Sequence, residues 1–219
     1  MIKAVIFDLD GTLLNRDESV KKFINNQYER LNKWVNPIPK EEYITRFIEL
    51  DNRGYVWKDK VYQQLTEELG MKGVTWEELL EDYLSHFKDH CIPFPNLFDL
   101  LEELRNKQFT LGIITNGMGQ FQMDNIKALG IEKYFKATLV SEWEGLKNPD
   151  PNIYLRALNQ LNVPPNQSVY VGDHLENDVQ ASQKAGMKGI WKKDVQWGNT
   201  SAEFSIDDLM ELPSLLQIL

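Results

Sequence analysis

The stretch AVIFDLDGT, residues 4–12, contains the pattern that decides the fold. Its apolar run, Ala4 to Phe7, is typical of a short strand that is buried on both faces of a parallel sheet. Asp8 and Asp10 follow where that strand should end, and Gly11 then turns the chain. Ligands of open α/β sheets bind beyond the carboxyl ends of the strands, and residues two apart on an extended segment point the same way. Both carboxylates are therefore expected to reach one metal ion or one substrate.

The composition is that of an ordinary globular protein, and it argues against several classes of function. The 219 residues are 42% hydrophobic and 26% charged, with a formal net charge of −9. This acidic balance argues against a protein that binds nucleic acid through charge. No apolar run approaches the roughly 18 residues that span a membrane, and no signal peptide precedes Asp8, so a cytoplasmic protein is expected. Cys91 is the only cysteine in the sequence, which excludes an internal disulfide.

The spacing of apolar residues predicts a helical insert directly after the first strand. Apolar residues recur at intervals of three and four, as in amphipathic helices, and no strand pattern interrupts them before Ile92. The predicted helices are Ser19–Trp34, Glu41–Asn52, Lys58–Leu69 and Thr75–His90. Thr75 and Glu78 have the spacing of a capping box at the start of the last one. Five aromatic residues of the insert are interpreted mostly as its core: Trp34, Tyr55, Trp57, Tyr62 and Trp76.

Strands and helices alternate from Pro93 to the end of the sequence. The predicted strands are 109–114, 137–140, 168–171, 189–191 and 204–206, and the predicted helices are 97–107, 118–129, 151–161, 177–185 and 207–216. This alternation indicates a parallel sheet with right-handed crossovers. The predicted fold class is therefore α/β: a Rossmann-like parallel sheet core, residues 1–14 and 93–219, with an all-helical domain, residues 15–92, inserted in it.

Polar residues collect at the ends of the predicted strands. Thr115-Asn116-Gly117 follows the second strand, Gly172-Asp173 follows the fourth, and Asp178 comes shortly afterwards. A polar loop, Lys147-Asn148-Pro149-Asp150-Pro151, follows the third. Because the carboxyl ends of parallel strands meet at one edge of the sheet, these groups are expected to converge on Asp8 and Asp10.

This set of motifs, in this order, resembles the haloacid-dehalogenase-like superfamily of phosphotransferases. The resemblance covers almost the whole chain, and the insert resembles the helical cap of the superfamily's first cap class, in subfamily I. It implies a Mg²⁺-dependent phosphatase that acts on a small phosphomonoester, such as a sugar phosphate or a nucleoside monophosphate. The cap is then expected to close over the site and select the substrate. A monomer or homodimer is expected, with neither nucleic acid nor membrane as partner.

The resemblance also implies a role for each acidic residue. Asp8 is the expected nucleophile, and Asp10 is expected to protonate the leaving alkoxide and then to deprotonate the attacking water. The expected ligands of Mg²⁺ are the side chains of Asp8 and Asp173 and the main-chain carbonyl of Asp10. Asp178 is expected behind these ligands, where it orients a water molecule or a lysine.

The resemblance assigns the phosphate group to the second motif. The hydroxyl of Thr115 and the backbone amides of Asn116 and Gly117 are expected to bind phosphate oxygens at a helix N-terminus.

One position departs from the family pattern. The family's cationic residue normally stands immediately before the first proline of the polar loop, where this sequence has Asn148, and Lys147 comes one place earlier. A lysine there neutralises the nucleophile and the phosphoryl oxygens, which an amide cannot do. We expect Lys147 to take that role, with Asn148 beside the metal ligands. The alternative is a site of reduced activity.

Three other functions stay open on the sequence alone. A haloacid dehalogenase of the same superfamily needs neither Mg²⁺ nor an acid for the leaving halide, so Asp10 argues against it. A phosphoglucomutase-type enzyme would share Asp8 and Asp10 but would turn over sugar bisphosphates. From a different class, Asn148 favours a non-catalytic binding homologue that keeps the fold.

Overall fold

A computed structural model describes residues 1–31, 38–198 and 200–219 of the chain. The chain divides into two compact units. Met1–Asn15 and Pro93–Leu219 form the first, the sheet unit, and Arg16–Ile92 forms the second, the helical unit. Within the described ranges, no helix combines the length and the apolar character that crossing a membrane requires.

In chain order, the strands and α-helices are β1 (Ala4–Phe7), α1 (Arg16–Arg30), α2 (Lys40–Asp51), α3 (Lys58–Glu68), α4 (Trp76–His86), α5 (Leu97–Asn106), β2 (Thr110–Thr115), α6 (Gly119–Ala128), β3 (Ala137–Val140), α7 (Ser141–Glu144), α8 (Pro151–Leu161), β4 (Ser168–Gly172), α9 (Ala181–Lys184), β5 (Lys188–Lys192), β6 (Ser205–Ile206) and α10 (Leu212–Ile218). A π-helical turn, Leu175–Gln180, precedes α9.

The strands form one parallel sheet in the order β3-β2-β1-β4-β5-β6, which confirms the predicted fold class. β1 is fully buried, as its apolar run predicts, and it pairs with β2 and β4. In this register Phe7 lies between Ile113 and Val171. Because parallel strands end at the same edge, the residues that follow β1, β2 and β4 come together there.

The segment after β4 differs from the predicted helix 177–185. A π-helical turn comes first because the imidazole Nδ1 of His174 accepts hydrogen bonds from the N–H groups of Glu176 and Asn177, both at 3.2 Å. The N–H of His174 in turn donates to Asp178 Oδ2 at 2.9 Å. This wide turn holds the Asp178 carboxylate against the end of β4.

The helical unit is built around aromatic side chains and one buried amide. Gln27 Oε1 accepts hydrogen bonds from the hydroxyls of Tyr43 (3.0 Å) and Tyr62 (2.9 Å), and its Nε2 donates to the carbonyl of Leu79 at 3.1 Å. These bonds tie α1 to the three helices that follow it. The capping box of Thr75 and Glu78 is present at the start of α4, as predicted.

The interpretation of the insert's aromatic residues as core is correct for Tyr62 and wrong for two others. Tyr62 is fully buried, whereas Tyr55 is 57% exposed and Trp57 is 68% exposed. These two follow the 3₁₀ turn Asn52–Gly54, in which all three residues have positive φ, so the chain reverses sharply at the end of α2. Trp76 is half-buried. Trp34 lies outside the described residues.

A buried ion pair fixes the junction of three helices in this unit. Asp51 is 2% exposed, and its carboxylate accepts hydrogen bonds from two guanidinium nitrogens of Arg16, at 2.9 and 3.0 Å. It also forms an ion pair with Lys58. Burial alone would raise the pKa of Asp51, but the charges of Arg16 and Lys58 hold that pKa below its ordinary value. The start of α1, the end of α2 and the start of α3 are thereby held together.

Candidate active site

Three carboxylates meet where β1 and β4 end. Asp8 directly follows β1, and its N–H donates to the carbonyl of Val171 at 2.9 Å. One carboxylate oxygen each of Asp8, Asp173 and Asp178 lies within 4.8 Å of the other two. The convergence expected for the first and last motifs is therefore present in the sheet unit.

Two glycines give these carboxylates the space they occupy. A Cβ atom at Gly11, where φ is +84°, would lie 2.3 Å from Asp173 Oδ2. A Cβ atom at Gly172 would lie 2.3 Å from Asp178 Oδ2. Any other residue at either position would push a carboxylate out of the cluster, and Gly11 also needs the left-handed backbone that glycine favours.

The carboxylates repel one another, and the burial of Asp8 and Asp178 strengthens the repulsion. Burial, together with the charges of Asp178, Asp173 and Asp10, raises the pKa of Asp8 well above its ordinary value. Burial also raises the pKa of Asp178 to about 7, although the His174 N–H and the Asn148 amide donate to its oxygens. Among the described residues, neither Asp8 nor Asp178 has a lysine or arginine as an ion-pair partner. The cluster therefore needs either protons or a cation.

The cluster fits Mg²⁺, which prefers oxygen ligands and keeps several water molecules. The predicted side-chain ligands Asp8 and Asp173 both belong to it. Asp178 belongs to it as well, but both of its oxygens already accept hydrogen bonds, from His174 and Asn148. The supporting role of Asp178 stays a prediction. The Asp10 carbonyl as a ligand stays a prediction.

The Asp10 side chain is held by a residue that the sequence reasoning missed. Gln122 Nε2 donates to Asp10 Oδ2 at 2.7 Å and lies 2.6 Å from Thr115 Oγ1. Gln122 is on α6 and is 2% exposed. A signal for it exists in the sequence, because Gln122 and Asn125 occupy the same helical face as Ile126, where a buried helix normally has apolar residues.

The second motif is close to Asp10, but one of its predicted phosphate ligands is already engaged. Thr115 is buried and linked to Asp10 through Gln122. The N–H of Gly117, by contrast, donates to Ser141 Oγ at 2.9 Å. The Asn116 side chain makes two hydrogen bonds to the backbone of Asn148, at 3.0 and 3.2 Å, and so fixes the polar loop.

The polar loop places Asn148, and not the side chain of Lys147, beside the acidic cluster. Asn148 is 5% exposed, and its Nδ2 donates to the Tyr170 hydroxyl at 3.2 Å and to Asp178 Oδ1 at 3.3 Å. Its Oδ1 is buried and has no hydrogen-bond partner among the described residues. Lys147 is exposed and makes no ion pair within the part of the chain that the structure describes. The catalytic role of Lys147 stays a prediction.

Lys192, at the end of β5, is a second residue that the sequence reasoning missed. It is 5% exposed; its Nζ donates to the Gly11 carbonyl at 3.1 Å and lies 3.3 Å from the centre of the Phe94 ring. Burial lowers the pKa of Lys192, and the charge of Asp173 opposes that shift. Its position directly after Ile190 and Trp191, at the carboxyl end of a strand, is the signal that marks it in the sequence.

Comparison with known proteins agrees with this geometry. A family model described as haloacid dehalogenase-like hydrolase matches residues 5–192. A glyceraldehyde 3-phosphate phosphatase from Pyrococcus furiosus is 28% identical, over 100% of this chain and 93% of its own length. Among solved structures, a phosphatase from Thermococcus onnurineus is 28% identical with a TM-score of 0.70, and the match covers 98% of each chain. A 2-haloacid dehalogenase from Pseudomonas syringae is also 28% identical, with a TM-score of 0.65 over 100% of this chain and 99% of its own.

The electrostatics of the cluster predict a pH-dependent stability. Without divalent cations, the melting temperature should fall by about 5 °C between pH 5 and pH 8. Burial raises the pKa of Asp178 from its ordinary 3.8 to about 7 in the folded protein. Between these two pH values the folded state keeps the proton that the unfolded state has lost, so the stability falls as the pH rises toward 7. Mg²⁺ should restore the lost stability at pH 8, as measured by differential scanning calorimetry.

Two variants test the origin of this dependence. Asp178→Asn should make the fall with pH smaller, because the amide does not ionise. Asp59→Asn, at a surface position of α3, should leave it unchanged. An identical pH dependence in the unmodified and Asp178→Asn proteins would contradict the prediction.

Proposed function

The chain belongs to the haloacid dehalogenase-like hydrolase family, and we propose that it is a Mg²⁺-dependent phosphatase in which Asp8 attacks a small phosphomonoester. The observation that carries this proposal is the separation of two carboxylates that lie only two residues apart. A carboxylate oxygen of Asp8 clusters with oxygens of Asp173 and Asp178, whereas the Asp10 carboxylate accepts a hydrogen bond from Gln122. In this proposal Asp8 makes the attack and Asp10 transfers the proton.

The proposed reaction has two steps. In the first, an Asp8 oxygen bonds to phosphorus, the bond from phosphorus to the substrate oxygen breaks, and Asp10 protonates the departing alkoxide. In the second, Asp10 takes a proton from water, the water oxygen bonds to phosphorus, and the bond to Asp8 breaks. Inorganic phosphate leaves, and both carboxylates return to their starting states.

The anionic nucleophile and the anionic phosphoryl group need positive charge between them. Mg²⁺ would supply that charge when bound, held by the side chains of Asp8 and Asp173 and by the Asp10 carbonyl. The Thr115 hydroxyl would bind a phosphate oxygen, with the backbone amide of Asn116 completing the proposed phosphate-binding site, because the Gly117 N–H donates to Ser141 Oγ instead. Asp178 would keep the cluster in place from behind, through its bonds to His174 and Asn148.

We propose a small phosphorylated metabolite as substrate, with sugar phosphates ahead of nucleoside monophosphates. The similarity to a glyceraldehyde 3-phosphate phosphatase over the whole chain supports this order. The sheet unit is proposed as the catalytic core and the helical unit as the cap domain. Asp10 argues against a dehalogenase, because the expulsion of halide does not use the acid that Gln122 holds in place.

A second candidate is a binding homologue with impaired catalysis, and one observation favours it. Asn148 is buried at the acidic cluster, where it brings an amide and no charge. In this candidate the protein would still bind Mg²⁺ and phosphorylated ligands but turn them over slowly, because the phosphoryl oxygens lack a cation.

The proposed function predicts phosphatase activity that depends on Mg²⁺ and on Asp8. Hydrolysis of p-nitrophenyl phosphate should fall by about 1,000-fold or more in Asp8→Asn, because the amide cannot form the covalent intermediate. Asp99→Asn, at an exposed position of α5, is the matched control and should keep full activity. Steady-state kinetics with a panel of sugar phosphates and nucleoside monophosphates would then rank the substrates. Turnover that survives in Asp8→Asn would overturn the proposal.

Whether the site is active or impaired depends on whether a lysine ammonium neutralises the phosphoryl oxygens. We expect Lys147→Ala to lower kcat by about 10-fold or more, because removal of that ammonium leaves the phosphoryl charge unbalanced. Asn148→Lys should restore the loss when it is added to Lys147→Ala. The exposed Lys184→Ala serves as the control. If Lys147→Ala turned over substrate at the unmodified rate, Lys147 would have no catalytic role; if only Asn148→Lys were active, the impaired site would be favoured.

A further inference from the structure

Gln122 joins two parts of the site, and neither the motifs nor the reaction steps assign it a task. Its Nε2 lies 2.7 Å from Asp10 Oδ2 and 2.6 Å from Thr115 Oγ1. An amide nitrogen has two hydrogens, so it can donate to both acceptors at once. The Gln122 side chain is 2% exposed, its bond to Thr115 is buried and its bond to Asp10 is partly buried.

The orientation of this amide is fixed by its surroundings. Its nitrogen faces Asp10 Oδ2, which accepts a hydrogen bond both when the carboxyl is ionised and when Oδ1 carries the proton. Its oxygen accepts a hydrogen bond from Asn125 Nδ2 at 3.3 Å, and Asn125 is fully buried. Gly117 leaves room for the stem: a Cβ atom there would lie 2.9 Å from Gln122 Cγ. The glutamine is thus held from three sides.

The two hydrogen bonds of Gln122 constrain the Thr115 hydroxyl and the Asp10 carboxyl in different ways. Thr115 Oγ1 accepts from Gln122, so its own hydrogen stays available for a phosphate oxygen. Asp10 Oδ2 is held in one place, and a proton donor is effective only when it lies within hydrogen-bond reach of the oxygen it protonates. The helix α6 therefore sets the position of a carboxylate that belongs to the loop after β1.

We propose that Gln122 is a positioning residue that acts through Asp10, so that its contribution depends on how much protonation the leaving group needs. This inference rests on the proposed function. An alkoxide is a poor leaving group and needs a proton from Asp10 as its bond to phosphorus breaks. The p-nitrophenolate anion is stable without one. Removal of Gln122 should therefore impair alkyl phosphates far more than aryl phosphates.

The test compares two substrates on matched variants. Gln122→Met removes the amide and keeps the length of the side chain, and Gln120→Met makes the same change at an exposed position of α6. For Gln122→Met, kcat/KM should fall about 100-fold on glycerol 2-phosphate and less than about 5-fold on p-nitrophenyl phosphate. Gln120→Met should match the unmodified protein on both substrates.

A double-mutant cycle tests whether the effect passes through Asp10. Asp10→Asn already removes the proton donor, so adding Gln122→Met should lower kcat/KM on glycerol 2-phosphate by less than about 3-fold more. If Gln122→Met fails to fold, as judged by circular dichroism, Gln122→Glu replaces it. That variant keeps the size of the side chain and repels Asp10, so the same substrate-dependent loss is expected.

The outcomes separate this inference from the proposed function. Equal losses on the two substrates, or losses that multiply in the cycle, would overturn the role of Gln122 and leave the phosphatase intact. An unmodified protein that hydrolyses neither phosphate with Mg²⁺ present would overturn the proposed function and this inference with it.

Discussion

The repulsion among the carboxylates of Asp8, Asp173 and Asp178, of which the first and last are buried, is the constraint on which the rest of the site depends. Bringing them within 4.8 Å of one another in a buried place raises the free energy of the folded chain unless a proton or a cation balances the charge. The three carboxylates meet at the edge of an all-parallel sheet, where the neighbouring strands β1 and β4 end. Glycines make room for the carboxylates, and backbone N–H groups and side-chain amides hydrogen-bond to them. None of these groups neutralises the negative charge of the carboxylates.

The groups that bond to Asp178 and Asp10 are neutral. Asn148 donates to Asp178, the His174 N–H does the same from the other side, and Gln122 holds Asp10. Among the described residues, Lys192 is buried with Asp173 as a charged neighbour, but its ammonium donates to the Gly11 carbonyl. This distribution leaves the charge of Asp8 for an ion or a substrate to balance, which the proposed role of Asp8 as nucleophile requires.

Much of the fold was predictable because its signals are local. The apolar run before Asp8 gives a buried strand, and the alternation after Pro93 gives a parallel sheet, which together bring Asp8 and Asp173 to one edge. The helices of the insert follow from their spacing of apolar residues. Tyr55 and Trp57 are predicted as core but are exposed. Their exposure depends on the left-handed turn Asn52–Gly54, which composition alone does not indicate.

The residues that support the site were harder to find from the sequence. Gln122 reaches Asp10 across 112 positions of the chain, and Lys192 reaches Gly11 across 181. Such contacts depend on the order of the strands in the sheet, and local sequence patterns do not predict that order. The position of Asn148 relative to Lys147 likewise depends on which of two neighbouring side chains the loop turns inward, and the bonds from Asn116 decide that.

The central claim is that Asp8 forms a covalent bond to the phosphoryl group, and direct detection of that intermediate tests it. The protein would be mixed with p-nitrophenyl phosphate and Mg²⁺, quenched rapidly in acid, digested, and its peptides analysed by mass spectrometry. We expect a phosphoryl group on Asp8 that forms and decays at rates consistent with turnover. Turnover without a phosphorylated Asp8, accompanied by inversion of configuration at phosphorus, would show direct attack by water and contradict the claim.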